Sequence, residues 1–124
     1  MALKFIRIAV LYALLGIGIG IYMAATHDFA QRDTHAHANL LGWVSLALSG
    51  LIYHAFPALA QHVLAKAHFW LQNIGLPLTI IGIALIYGGN PSLGEPFASI
   101  GSTIAALGFI ALTINLFRTL PDDE

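Results

Sequence analysis

The chain has 124 residues, of which 58% are hydrophobic and 9% are charged, whereas a soluble globular domain carries about 25% charged residues. So apolar a chain has too little polar surface to face water, and its composition predicts that it lies in lipid. The net charge of −1 excludes a basic surface for nucleic acid. The absence of cysteine excludes disulfides, thiolate metal sites and covalent c-type haem attachment.

Four apolar segments approach the length of about 20 residues that a helix needs to cross a bilayer. They predict one all-α domain, residues 1–124, with four membrane-spanning helices running up and down. Lys4 and Arg7 precede an apolar run that is too long for a secretory signal, so we expect a first helix that is retained. The predicted spans are residues 8–26, 35–56, 68–87 and 97–117.

Positive charges outside the spans predict the orientation in the membrane. Lys4, Arg7, Lys66 and Arg118 fall at one end of the four predicted helices, and Arg32 is alone at the other. Because cytoplasmic loops are enriched in Lys and Arg, we expect a multi-pass protein of the cell inner (plasma) membrane with both termini in the cytoplasm. The second span then enters the membrane from the outer face.

Glycines recur within the spans, where small residues allow helices to approach closely in lipid. Since no predicted strand precedes them, a nucleotide-binding loop is the weaker interpretation. We therefore expect helix packing at Gly16, Gly18, Gly20, Gly75, Gly82, Gly101 and Gly108.

The segment Thr34–Trp43, with the sequence THAHANLLGW, begins the second span. Polar side chains at membrane depth need partners, and a metal or a haem iron suits imidazole. His35 and His37 are two residues apart, a rotation of about 200° on an α-helix, so they point to nearly opposite sides and cannot share one metal. Near the interface, simple contact with water is the alternative for both rings.

Two further residues of this segment are candidate contacts of a cofactor. Asn39 is either a hydrogen-bonding partner beside the histidines or a contact between helices. Trp43 is either a cofactor contact or a packing residue, and packing is the more common use.

The remaining histidines have ordinary interpretations. His27 and His62 lie in or beside loops and predict solvated side chains. His54 and His68 lie at the opposite end of the helices from the pair, about 25 Å away along the axis. For His54 and His68 we expect interfacial anchoring or a hydrogen bond to a helix end. The aromatic residues beside them are typical of an interfacial belt: Tyr53, Phe69 and Trp70.

Four motifs follow one another in this part of the chain: His35-Ala36-His37, Leu41-Gly42-Trp43, Gly50 with Tyr53 and Pro57, and His68-Phe69-Trp70 with Gly75. In this order they resemble subunit I of the haem–copper oxidases, in particular C-type cytochrome c oxidases and nitric oxide reductases. The resemblance covers residues 34–82 and is to the tenth and eleventh helices of that twelve-helix subunit. It implies that His35 corresponds to the axial ligand of the high-spin haem and His37 to that of the low-spin haem.

The chain departs from that subunit because it has four spans and lacks the other haem-ligand helix and the copper-ligand histidines. The family's twelve helices form three arcs of four around a pseudo-threefold axis, and the metal-binding histidines lie mostly on the second helix of an arc. The resemblance therefore implies a homotrimer that rebuilds the twelve-helix ring. Each pocket would hold haem b between His35 of one copy and His37 of its neighbour.

These expectations define two function classes. The first is a haem b-binding membrane protein with a redox or electron-transfer role, in which Asn39 and Trp43 also line the haem pocket. Displacement of one histidine from the iron would open a position for a gas. The second is a non-catalytic membrane component that binds copper or zinc, assists assembly or docks on a larger complex. A transporter is disfavoured, because no charged residue falls inside the spans.

Overall fold

The computed structural model describes residues 1–120, and the final four residues of the predicted domain lie outside that range. Over the described residues the chain is helical, with the long helices α1 (Ala2–Thr26), α2 (Arg32–Ala55), α3 (Val63–Tyr87) and α4 (Pro91–Thr119). A short 3₁₀ helix, Pro57–Gln61, connects α2 to α3. All four long helices are long and apolar enough to cross a bilayer, which confirms the predicted all-α membrane fold at that level.

Particular residues set the ends of α3 and α4. His62 precedes α3, and its ring Nδ1 accepts a hydrogen bond of 3.3 Å from the backbone N–H of Leu64, which satisfies one of the free donors of the first turn. Pro91 occupies the first position of α4, where its missing N–H costs nothing. Between α3 and α4, Gly89 has a φ of 95°, a left-handed conformation that glycine adopts at little cost.

The long helices form two antiparallel hairpins, α1–α2 and α3–α4. In the first, Gly20 faces His35 and Gly42 faces Tyr12. In the second, a Cβ added to Gly75 would lie 2.5 Å from the backbone nitrogen of Ala105. The helices of each hairpin thus approach so closely that a side chain added at these positions would require its neighbours to move.

The predicted role of the glycines is confirmed for six of the seven positions. A Cβ at any of these six would approach a neighbouring helix within 3.2 Å, and the exception is Gly18, which has nothing within 4 Å. Gly18 therefore faces away from the hairpin partner. The six packing positions are Gly16, Gly20, Gly75, Gly82, Gly101 and Gly108.

The two hairpins are tied together near both ends. At the end that carries the α1–α2 connection, the Gln31 side-chain amide donates to the carbonyl of Ala84 at 3.1 Å. At the other end, the Asn115 side chain donates to the carbonyl of Leu59 at 3.0 Å. Apart from such ties, the outward faces are apolar, and α1 exposes large side chains as expected of a lipid-facing helix: Leu11, Leu14, Ile17 and Ile21.

The second helix is not a regular α-helix. Residues Ala38–Val44 form a π-helical segment between the α-helical stretches Arg32–His37 and Ser45–Ala55. The carbonyl of Leu40 accepts both the backbone N–H and the hydroxyl of Ser45, five residues ahead, the latter at 2.8 Å. The wider turn starts directly after His37, and such segments are frequent at functional sites.

Candidate functional site

His35 lies in the first turns of α2 and packs against α1. Its ring Nδ1 lies 2.7 Å from the carbonyl oxygen of Gly16. Because a carbonyl oxygen can only accept, Nδ1 carries the hydrogen of the neutral ring and Nε2 keeps a free lone pair. The interaction with α1 therefore defines which nitrogen of His35 is available to a ligand.

His37 makes the corresponding interaction within its own helix. Its Nδ1 lies 2.8 Å from the carbonyl oxygen of Asp33, so Nδ1 donates and Nε2 is again the atom with a free lone pair. The ring borders an open groove of 230 Å³ that is lined by Ala36, Leu40 and Leu41 as well. This groove is smaller than the range of about 300–1,000 Å³ that is usual for ligand pockets.

The two histidines thus have different surroundings. The α1 backbone holds His35, while His37 faces a groove formed by residues of α2 alone. Within residues 1–120, no group of three or more His, Cys, Asp or Glu side chains is close enough to hold a metal ion. The described residues of one chain therefore bring at most two such side chains to any one point.

The two other candidate residues, Asn39 and Trp43, have different surroundings. The Asn39 side-chain nitrogen donates to the backbone carbonyl of His35 at 2.9 Å, and its amide occupies the space beside Gly16. The same Asn39 nitrogen lies 3.4 Å from Nδ1 of His35. Because both nitrogens carry hydrogens, this contact is not a hydrogen bond. Trp43 is 37% exposed, so part of the residue is accessible at the surface of the chain.

A second histidine site lies at the opposite end, where an interfacial belt was expected. That expectation is wrong for His68 and Tyr53, which are 0% and 2% exposed. The Tyr53 hydroxyl is 2.9 Å from Nδ1 of His68, and the ring of Phe5 stacks on Tyr53 with centroids 5.5 Å apart. Trp70, by contrast, is 62% exposed, as an interfacial residue should be.

The buried histidine was missed because adjacent aromatic residues suggest an interface when only the sequence is read. A usable signal was the spacing of Tyr53 and His68 on either side of Pro57, which brings two helix ends together. Among the described residues, Nε2 of His68 is buried without a hydrogen-bond partner. His54 and His62 lie nearby in sequence but are exposed.

Comparison with known proteins identifies a relative. The chain is 30% identical over 126 aligned positions to the Cbb3-type cytochrome c oxidase subunit CcoN1 of Stutzerimonas stutzeri. The chain is similar to part of this oxidase subunit I. The predicted resemblance is thereby confirmed, and the alignment covers 78% of the chain, well beyond residues 34–82.

The similarity to the cbb3-type subunit is confined to a part of that protein. The alignment spans 27% of the relative's length, so the chain corresponds to about a quarter of it. No family model matches the chain, and no solved structure matches it significantly. The chain is therefore a multi-pass membrane relative of a fragment-sized portion of subunit I.

Proposed function

We propose that this chain is a haem b-binding membrane protein of the haem–copper oxidase subunit I type, with a role in electron transfer. Three copies form a twelve-helix ring, and each haem lies between His35 of one copy and His37 of the next. The observation that carries the proposal is that the two imidazole rings have the same hydrogen-bonding pattern. Each bonds a carbonyl through Nδ1 and leaves Nε2 free.

The donor chemistry of the two rings fits a haem. A histidine that ligates a metal usually donates its other ring N–H to a carbonyl or carboxylate, which fixes the tautomer and the ring orientation. A haem iron has four porphyrin nitrogens and needs one or two axial ligands from the protein. Because His35 bonds to α1 and His37 bonds within α2, two copies can meet this need by pairing one ring from each.

Sharing between copies is supported by the groove beside His37. Its 230 Å³ is too small to enclose a cofactor, and its lining comes from α2 alone. Leu40 is 61% exposed and Trp43 is 37% exposed, so a second copy seated here would cover apolar surface. Cyclic symmetry closes such a head-to-tail contact into a ring.

A haem held by two imidazoles would supply one-electron transfer. In this chain His35 and His37 would bind and orient the haem, and the carbonyls of Gly16 and Asp33 hold the proton on Nδ1 of each ring. Asn39 stabilises the turn that carries His35. Trp43 and Leu40, which are exposed in one chain, would be covered by the second copy and would then keep water from the haem.

The charge distribution supports a defined orientation. The antiparallel helices bring Lys4, Arg7, Lys66 and Arg118 to the same end, opposite Arg32. Because cytoplasmic loops are enriched in Lys and Arg, both termini lie on the cytoplasmic side of the inner membrane. The haem sites then lie near its outer face.

A second candidate function is a non-catalytic subunit that binds copper or zinc or assists assembly. The similarity to a portion of an oxidase subunit favours it, because surfaces that pack inside such a subunit can also pack against a larger complex. Copper or zinc would need three or four protein ligands at each site. Those ligands would have to come from several copies, because residues 1–120 of one chain bring no three together.

The absorption spectrum of the full chain, purified from cells with ample iron, tests the proposal. We expect a sharp Soret band with low-spin features, lost in both His35→Ala and His37→Ala and retained in His54→Ala, since His54 is exposed at the other end. A colourless protein that carries copper or zinc instead would contradict haem binding and favour the second function.

A further inference from the structure

The position of His35 depends on a helix other than its own. Its Nδ1 lies 2.7 Å from the Gly16 carbonyl in α1. One turn further along α1, a Cβ at Gly20 would lie 3.0 Å from Cε1 of His35. The ring is therefore held by a hydrogen bond at Gly16 and fits against the bare backbone of Gly20.

The contact at Gly20 leaves almost no free space. A Cβ contact of 3.0 Å is tighter than about nine in ten of those in proteins, so an added methyl group would displace the ring by a few tenths of an ångström. Gly18 lies between the two glycines and has nothing within 4 Å. Helix α1 thus has one glycine in contact with His35, Gly20, and a nearby glycine without contacts, Gly18, that serves as a control.

We propose that α1 is the positioning element of the site: Gly16 and Gly20 hold the His35 ring so that Nε2 is the atom offered to a haem iron. This inference rests on the proposed haem-binding function. Gly16 acts through its backbone carbonyl, which keeps the proton on Nδ1, and Gly20 acts by having no side chain. Neither residue touches the haem, so both are positioning residues that act through His35.

Substitutions of graded size separate positioning from general packing. In Gly20→Ala and Gly20→Val, the ring is displaced from the Gly16 carbonyl, more so by the larger residue. In Gly18→Ala and Gly18→Val, the same groups are added where there is nothing to displace. Losing the partner of a metal-ligating histidine weakens metal binding about 10–100-fold, so we expect at least about tenfold weaker haem binding in Gly20→Val and a smaller loss in Gly20→Ala.

A measurement without haem tests the positioning itself. In haem-free protein labelled with ¹⁵N-histidine and held in lipid nanodiscs, NMR reports which ring nitrogen carries the proton, and His35→Gln identifies the His35 signal. We expect a proton on Nδ1 in the unmodified chain and in both Gly18 variants, and a mixed or reversed state in Gly20→Val.

The outcomes are distinct. A proton on Nε2 of His35 in the unmodified chain would overturn the inference, as would Gly20 variants that match the Gly18 variants in both NMR signal and haem affinity. Should the chain bind no haem while NMR still shows a Gly20-sensitive proton on Nδ1, the proposed function would fail and the orientation of His35 by α1 would stand. The NMR result for the unmodified chain does not require any variant to fold.

Discussion

The Tyr53 hydroxyl and Nδ1 of His68, 2.9 Å apart, join the two helical hairpins inside the end of the bundle that holds the termini. Both side chains are buried, and Phe5 from α1 packs on both rings, with its centroid 5.0 Å from that of His68. The remaining ring nitrogen of His68 has no hydrogen-bond partner among residues 1–120. This pair therefore stabilises the fold only as long as both members are present.

Removing one member of the Tyr53–His68 pair should lower the free energy of unfolding more than removing both. In Tyr53→Phe, His68 loses its hydrogen-bond partner while remaining buried, so we expect a loss of about 1–3 kcal/mol in the free energy of unfolding. In the double variant Tyr53→Phe with His68→Phe, the polar ring is gone and stability should largely return. Unfolding in mixed detergent micelles measures both; a double variant that loses the sum of the single effects would contradict this account.

The close contact between α3 and α4 should tolerate no side chain. A Cβ at Gly82 would overlap the backbone of Ala98, which cannot rotate away as a side chain can. We expect Gly82→Ala to lower the free energy of unfolding by about 1–3 kcal/mol, whereas Gly18→Ala should change it little. Thermal unfolding of the purified proteins tests this, and equal melting temperatures for the two variants would refute the packing.

The orientation can be checked independently of the cofactor. Reporter enzymes that are active on only one side of the membrane, fused to the N-terminus or to the C-terminus, should both report the cytoplasm. A third reporter inserted in the α1–α2 connection, near His27, should report the opposite side. The predicted arrangement is excluded if the two terminal fusions disagree.

Much of the fold follows from composition and spacing. The four apolar segments and the short connections predict the helices, although α1 begins at Ala2 and α2 at Arg32, before the predicted spans. Polar residues extend these helices because the backbone stays hydrogen-bonded beyond the apolar core. The glycines predict helix contacts, but not which of them face lipid, as Gly18 does.

Other features depend on contacts that the sequence does not display. The π-helical segment Ala38–Val44 relies on Ser45 bonding to Leu40, a choice that periodicity cannot reveal. The burial of His68 depends on how the two hairpins meet. The orientation of His35 depends on Gly16, 19 residues away in the chain, and a two-residue spacing predicts divergent rings without their partners.

Haem content should follow the number of copies. If each pocket takes one His35 and one His37, a trimer holds three haems, or one per chain. Mass measurement of the intact complex together with a haem assay tests this ratio. Two haems per chain, or an odd number of haems in a dimer, would contradict pairing between neighbouring copies.

The most direct test is complementation between two inactive variants. His35→Ala and His37→Ala should each bind no haem alone, but when both are co-expressed, a pocket with His35 from one chain and His37 from the other is intact wherever the two meet in the right order. Random mixing around a cyclic ring then restores about one quarter of the haem per chain. If the mixed complexes form and remain colourless, both imidazoles do not come from neighbouring copies, and the proposed site is wrong.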